Sequence, residues 1–478
     1  MKFFFSVLFV ALFVAQSLAQ TPLERFLNSN AIGNSNVSLL VRNMDTGEVV
    51  SSHNAATSLI PASTMKVVTS AVAFEMLGAD YRFQTRIQID GTVDENGVLH
   101  GNLIIFGGGD PTLGSARVPP AQRYFLSRWS REIRNAGIRS ITGSVIGDAS
   151  LFDSQGINSR WIWENISTFF AAGAYGISYL DNAARVHFNS GAVGTTPTIT
   201  RVVPDIPGLN FTNNLRSTTI GRDSAAIYGA PLSMERTIYG EVPANRPNVV
   251  ARMDIPDPAL LLAQHLHNRL TTDGVSINGE PKGIYFPMEN SDTRKTIFTH
   301  YSMPLSWINQ EINFRSNNHY SEVVFRYLAL QRQQQATTQG AINVINSHLR
   351  QRGIDTRYFF MFDGSGLSRG NGMSAEFLVD LLTYMKQESP VGSEFFESLP
   401  VGGQSGTIAS LFSNQTLNGR VHAKSGSLTR VRAYAGYIML EDRNYVFAVI
   451  VNNFAARPNL VVREIDNFLT NIARETQD

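Results

Sequence analysis

The sequence predicts an α/β chain: an antiparallel sheet between helices, assembled from both ends and interrupted by a long β-rich insertion. Three observations carry that expectation. Both ends hold strand-like runs beside helical ones, the middle of the chain changes to short strands and turns, and 478 residues are enough for about two to four domains.

Residues 1–19 read as a secretory signal peptide. Lys2 precedes an apolar run from Phe3 to Ala15, and Ser17-Leu18-Ala19 places small residues before Gln20. The run is shorter than the roughly 20 residues of a membrane span, and no other apolar run approaches that length. The mature chain is therefore expected to be exported and to lack a transmembrane segment. Val37 to Ser51 follows as two β-rich runs around Asp45-Thr46-Gly47, a hairpin pattern. Pro61 and Gly78 then bracket a predicted helix from about Ala62 to Leu77.

Between about Tyr81 and Thr296 the texture is short strands and turns, as in GNLIIFGGGDPTL and TPTITRVVPDIPGLNFTN. Near the C-terminal end, Val421–Leu428, Arg432–Leu440 and Tyr445–Asn452 read as strands. Asn459–Arg474 reads as an amphipathic helix with Leu460, Val461, Ile465, Phe468, Leu469 and Ile472 on one side. These boundaries predict one domain from 20–80 and 297–478, with 81–296 inserted as a β-rich region of two subdomains.

Composition narrows the chemistry. With 40 Lys plus Arg against 39 Asp plus Glu the net charge is +1, which argues against affinity built on neutralising nucleic-acid phosphates. Hydrophobic residues at 43% and aromatics at 10% suffice for several cores and exclude general disorder. There is no cysteine, so a nucleophile must be a hydroxyl, a lysine or a carboxylate.

Of the 40 basic residues only six are lysine, and two of these fall in candidate catalytic motifs. Ser63-Thr64-Met65-Lys66 is the only Ser-x-x-Lys in the chain; on a helix, a spacing of three puts amine and hydroxyl on one face. A serine in a first turn also gains from the positive end of the helix dipole as negative charge develops. Ser316-Asn317-Asn318 is a weaker pattern, because Ser52-His53-Asn54 and Ser276-Ile277-Asn278 match it and a helix cap would explain it. Lys424-Ser425-Gly426 lies in the β-rich run VHAKSGSL, where a glycine permits close approach of another backbone or a ligand.

Other constellations fare worse. Gly366-Leu367-Ser368-Arg369-Gly370 matches the nucleophile elbow of α/β-hydrolases, but Gly370-Asn371-Gly372 interrupts where a helix should begin, and His422 is the only downstream histidine. Gly107-Gly108-Gly109-Asp110 lacks the Gly-Lys-Ser/Thr of a phosphate loop. The nine histidines include no H-E-x-x-H, and His265 and His267 point to different faces of a predicted helix, so a zinc site is not expected.

In order, Ser-x-x-Lys, Ser-x-Asn and Lys-Ser-Gly form the signature of penicillin-binding proteins and class A β-lactamases. The gap after the first motif is far longer than a compact β-lactamase needs and accommodates the insertion. The chain closely resembles the D-alanyl-D-alanine carboxypeptidase/endopeptidase family of the penicillin-binding protein 4 type, the class C low-molecular-mass penicillin-binding proteins. The likeness covers nearly the whole mature chain. It includes GGGDPTL at Gly107–Leu113, GDASLFD at Gly147–Asp153, DGSGLSR at Asp363–Arg369 and GRVHAKSGSLTRVRAYAGY at Gly419–Tyr437. Departures are Asn317, where Asp is common, and Ser425, where Thr is usual.

The resemblance implies a discontinuous transpeptidase/β-lactamase-like domain with inserted β-rich domains. It implies an exported, periplasmic serine peptidase that acts on peptidoglycan stem peptides through an acyl-enzyme and is inhibited by β-lactams, with no metal or organic cofactor. In that family's terms Ser63 is the nucleophile and Lys66 its base. Ser316 relays a proton and Asn318 holds the substrate amide. Lys424 and Ser425 bind the terminal carboxylate beside Gly426, and Ser427 shares the oxyanion hole with Ser63. Asp148 and Arg369 would read the polar end of a diaminopimelate side chain. A β-lactamase or esterase of the same fold, or a non-catalytic wall-binding homologue, would share these motifs. The oligomeric state stays open.

Overall fold

The computed structural model describes residues 20–288 and 293–475, so the expected signal peptide at 1–19 lies outside the described residues. No helix among them is long and apolar enough to cross a membrane.

A five-stranded sheet joins the two ends of the chain, in the order Val49–His53, Asn36–Asn43, Asn444–Asn452, Val431–Met439 and Val421–Leu428. Every neighbouring pair is antiparallel. The central strand carries the uninterrupted apolar run Tyr445–Val451 because both of its faces are covered, and alternation along a strand sends successive residues to opposite sides. Val446, Ala448 and Ile450 face one core with Met65, Val68 and Val72 of the helix Met65–Leu77. Tyr445, Phe447, Val449 and Val451 face the other, against Phe26, Phe468 and Leu469 of the two terminal helices. Helix Met65–Leu77 is apolar nearly all round and is buried from Met65 to Phe74, as expected for a helix enclosed in a core. It is preceded by a 3₁₀ turn, Ala62–Thr64, rather than beginning at Ala62.

The insertion leaves this unit on the strand Gln84–Ile89 and returns on Lys295–Tyr301, and the two pair antiparallel with Thr85 opposite His300. Its exit and entry are thus stapled side by side. Those strands belong to a second five-stranded sheet, and Ala183–Asn189 lies at the centre of a separate three-stranded sheet between Thr198–Val203 and Val249–Asp254. The segment has its own core, including Trp129, Phe188 and Leu266. It is not all strand and turn: helices Phe125–Asn135 and Pro258–Thr272 pack within it. The first buries Phe125, Trp129 and Ile133 at helical spacing. The second begins at Asp257, whose carboxylate accepts the Leu260 N–H at 2.8 Å, with Pro258 in the first turn.

Candidate active site

Ser63 sits in the 3₁₀ turn ahead of the buried helix, and its neighbour Ala62 has φ 48°, a left-handed conformation that costs a non-glycine residue on the order of 1–3 kcal/mol. Two glycines hold the turn in that shape. A Cβ on Gly366, itself at φ 81°, would lie 1.9 Å from the Ala62 carbonyl oxygen; one on Gly426 would lie 2.6 Å from that of Pro61. The close backbone approach expected of Gly426 is therefore present, and its partner is the Ser63 turn.

Lys66, one helical turn on, is fully buried. Its Nζ donates to Ser63 Oγ at 3.0 Å, to Asn318 Oδ1 at 2.7 Å and to the Ser365 carbonyl at 2.6 Å. Burial lowers its pKa to about 7, against the opposing pull of the Asp363 and Glu322 carboxylates. An amine that is near half neutral at physiological pH and touches a hydroxyl is placed to act as a base toward it.

On the other side of the cleft Ser316 occupies a left-handed position, φ 55°, at the end of helix Leu305–Arg315. Asn317 caps the next helix, its side chain accepting the Tyr320 N–H at 3.1 Å, so the cap interpretation holds for Asn317 while Asn318 is free to turn inward. Lys424 Nζ donates to Ser316 Oγ at 3.0 Å and to its neighbour's carbonyl, Ser425 O, at 2.7 Å. Lys424 is also buried, and its pKa is pushed well below the usual lysine range by burial first and the Lys66 charge second. Ser425 Oγ bonds Thr407 Oγ1 at 2.7 Å, and Ser427 stands exposed further along the same edge strand. A cleft of about 750 Å³ opens here, lined by Ser63, Asn318, Ser427, Arg430 and Phe170 among others.

Three groups beneath Lys66 escaped sequence reasoning. Ser365 offers its carbonyl to Lys66 and donates its N–H to Glu322 Oε1 at 2.7 Å. Glu322 is buried, and burial together with the Asp363 charge raises its pKa to about 8. Asp363, within the DGSGLSR stretch, accepts four donors: Gly366 N and Asn371 Nδ2 on one oxygen, Ser368 N and Trp161 Nε1 on the other. Glu322 carries no local sequence signal, since it is one acid in an ordinary helix.

Asp148 and Arg369 are not brought to the cleft. The Asp148 carboxylate is buried, paired with Arg294 at 2.6 Å and bonded to the Ser150 N–H, and does not line the cleft at Ser63. Arg369 is exposed and lines none of the cavities described here. Nor is there an elbow at Ser368. Its hydroxyl is buried, Phe360 forms only an isolated bridge to Gly372, and His422 stacks on Phe396. No group of three or more His, Asp or Glu side chains among the described residues could hold a metal ion.

A buried lysine amine on a serine hydroxyl, between a buried helix and the edge of an antiparallel sheet, is the arrangement a serine acyl-enzyme hydrolase uses. Residues 19–475 match the model of the D-Ala-D-Ala carboxypeptidase 3 (S13) family. The chain belongs to that family and is a serine peptidase of its type. It is 26% identical over 456 residues to the D-alanyl-D-alanine carboxypeptidase of Actinomadura sp. strain R39, covering 92% of this chain and 82% of that one. In fold it is similar to penicillin-binding protein 4 (DacB) of Haemophilus influenzae, with a TM-score of 0.80 and 22% identity, over 94% of this chain and 97% of that one. The structure of that protein complexed with a β-lactam gives a TM-score of 0.77 at 21% identity, over 94% and 98% of the two chains.

Proposed function

We propose that this protein is exported to the periplasm and cleaves D-Ala-D-Ala termini or cross-links of peptidoglycan stem peptides, with β-lactams as acylating inhibitors. The observation that carries the reading is the buried Lys66 amine on the Ser63 hydroxyl, with a pKa of about 7. Export rests on the pattern of residues 1–19, and the substrate class on the family. Residues 20–80 and 297–478 form the catalytic domain and 81–296 an inserted unit of two subdomains, a division supported by the paired strands at the insertion's ends.

In this mechanism neutral Lys66 takes the Ser63 proton as Oγ bonds to the carbonyl carbon of the penultimate D-Ala. The carbonyl π pair moves to oxygen, facing the backbone N–H groups of Ser63 and Ser427. Collapse breaks the C–N bond, and the proton that Lys66 took passes through Ser316, which Lys424 holds in place, to the departing amine, returning Lys66 to its neutral form. Asn318, oriented by Lys66 and by its Nδ2 bond to the Phe170 carbonyl at 2.8 Å, holds the substrate amide. Lys424 and Ser425 bind the terminal carboxylate, and water then hydrolyses the Ser63 ester.

The test is release of D-alanine from an N-acylated tripeptide ending in D-Ala-D-Ala, followed from about pH 5 to about pH 9. Because protonation removes the base, kcat/KM rises with pH through an inflection near Lys66's value of about 7, and Ser63→Ala abolishes release. A profile flat across neutrality would remove Lys66 from the base role.

A further inference from the structure

The ridge formed by Phe170 and Asn318, joined by a hydrogen bond, borders two cavities. One is the cleft at Ser63. The other, about 440 Å³, is lined by Arg117, Arg185, Arg252 and Arg315 and reaches Ser316. Arg185 and Arg252 are direct partners on the antiparallel strands Ala183–Asn189 and Val249–Asp254, which sets two like charges side by side on one face. Such a pair destabilises a sheet. Among the described residues neither has a carboxylate within ion-pair distance, and Arg252 is instead aimed by the Phe169 ring, 3.7 Å from its guanidinium.

Two acids stand near this wall. Glu311 is shared between Arg117 at 3.4 Å and Arg315 at 3.0 Å. Asp181 accepts the Tyr320 hydroxyl at 3.2 Å, and burial raises its pKa against the opposing pull of the Arg117 and Arg185 charges. Four arginines line the cavity beside these two acids, so positive charge is in excess, and guanidinium forks match carboxylates in shape as well as sign.

Position decides which part of a substrate these arginines face. Arg117 and Arg315 also border a hollow with Thr407, the hydroxyl partner of Ser425. In the proposed mechanism Ser316 serves the departing amine and Ser425 the departing carboxylate, so the leaving half exits on this side, whereas Ser427 and Arg430 border the acyl half. We infer that the arginine-lined cavity is a subsite for the departing strand of a cross-linked peptide and binds its carboxylates. The inference rests on the acyl-transfer reading above. A departing free D-alanine offers only the carboxylate held at Ser425, and gains nothing from the cavity.

The experiment compares a peptide dimer, cross-linked from a D-Ala carbonyl to a side-chain amine of the neighbouring stem, with a monomer ending in D-Ala-D-Ala. In the full chain carrying Arg185→Gln and Arg252→Gln, the ratio of kcat/KM for dimer over monomer falls at least tenfold. In a Ser63→Ala background the same pair weakens equilibrium binding of the dimer at least tenfold. Amidation of the departing strand's carboxylates weakens binding to the unaltered wall by as much. Retention of dimer affinity by the double variant, or equal loss on dimer and monomer, overturns the subsite. Benzylpenicillin acylation in the same preparations tests the acyl-transfer reading separately: its absence, with charge-dependent dimer binding intact, would sink the mechanism and overturn the departing-strand assignment while leaving a carboxylate-binding cavity.

Discussion

Lys66→Arg is expected to lose acylation by benzylpenicillin by roughly 10²–10⁴-fold, the contribution of a positioned general base. The substitution keeps the charge and the capacity to donate to Ser63, Asn318 and Ser365, yet a guanidinium does not give up its proton in a protein. If Lys66 served only as a cation holding Asn318, arginine would largely replace it. Lys424→Arg should lose less, since the Lys424 bond to Ser316 calls for a donor that arginine also supplies. Stopped-flow acylation rates, with circular dichroism to verify folding, separate the two lysines. Equal losses at both, or near-wild-type acylation by Lys66→Arg, would contradict the assignment.

Asp363→Ala is expected to destabilise the protein by about 3–5 kcal/mol, the scale on which a buried charge network fails when one member is removed. The carboxylate is fully buried and each of its oxygens accepts two donors, so alanine strands Gly366 N, Ser368 N, Asn371 Nδ2 and Trp161 Nε1 together. Asp363→Asn should also destabilise, because an amide retains one acceptor oxygen and presents N–H groups to the other two donors. The same turn carries the Ser365 carbonyl on which Lys66 rests, so acylation should slow alongside the loss of stability. Urea unfolding monitored by tryptophan fluorescence checks the first effect; an unchanged midpoint for Asp363→Ala would refute it.

Elements whose physics is local were legible in the sequence. The runs Val421–Leu428 and Tyr445–Asn452 fall on observed strands because β-branched and aromatic residues bounded by polar turns leave few alternatives, and Asn444–Asn452 differs by a single residue. The terminal helix, observed at Pro458–Glu475, followed from its apolar stripe. Ser63 and Lys66 could be paired through helical spacing, and the structure brings Ser316, Asn318, Lys424 and Ser425 around them. Long-range pairing was not legible. Nothing near Asp148 announces that Arg294 will neutralise it, and nothing near Glu322 announces that it will lie under Lys66. Of the insertion's helices, Pro258–Thr272 falls where a helix was expected around His265 and His267, whereas Phe125–Asn135 was a missed local signal: Phe125, Trp129 and Ile133 already stand at helical spacing amid polar residues.

The nucleophile itself can be identified by intact-mass analysis and peptide mapping of the mature protein after incubation with benzylpenicillin. One slowly hydrolysed penicilloyl ester is expected, on the peptide that contains Ser63 and absent from Ser63→Ala, because the tethered leaving group of the opened lactam blocks the approach of water. An adduct on Ser368, or no adduct on active protein, would contradict it.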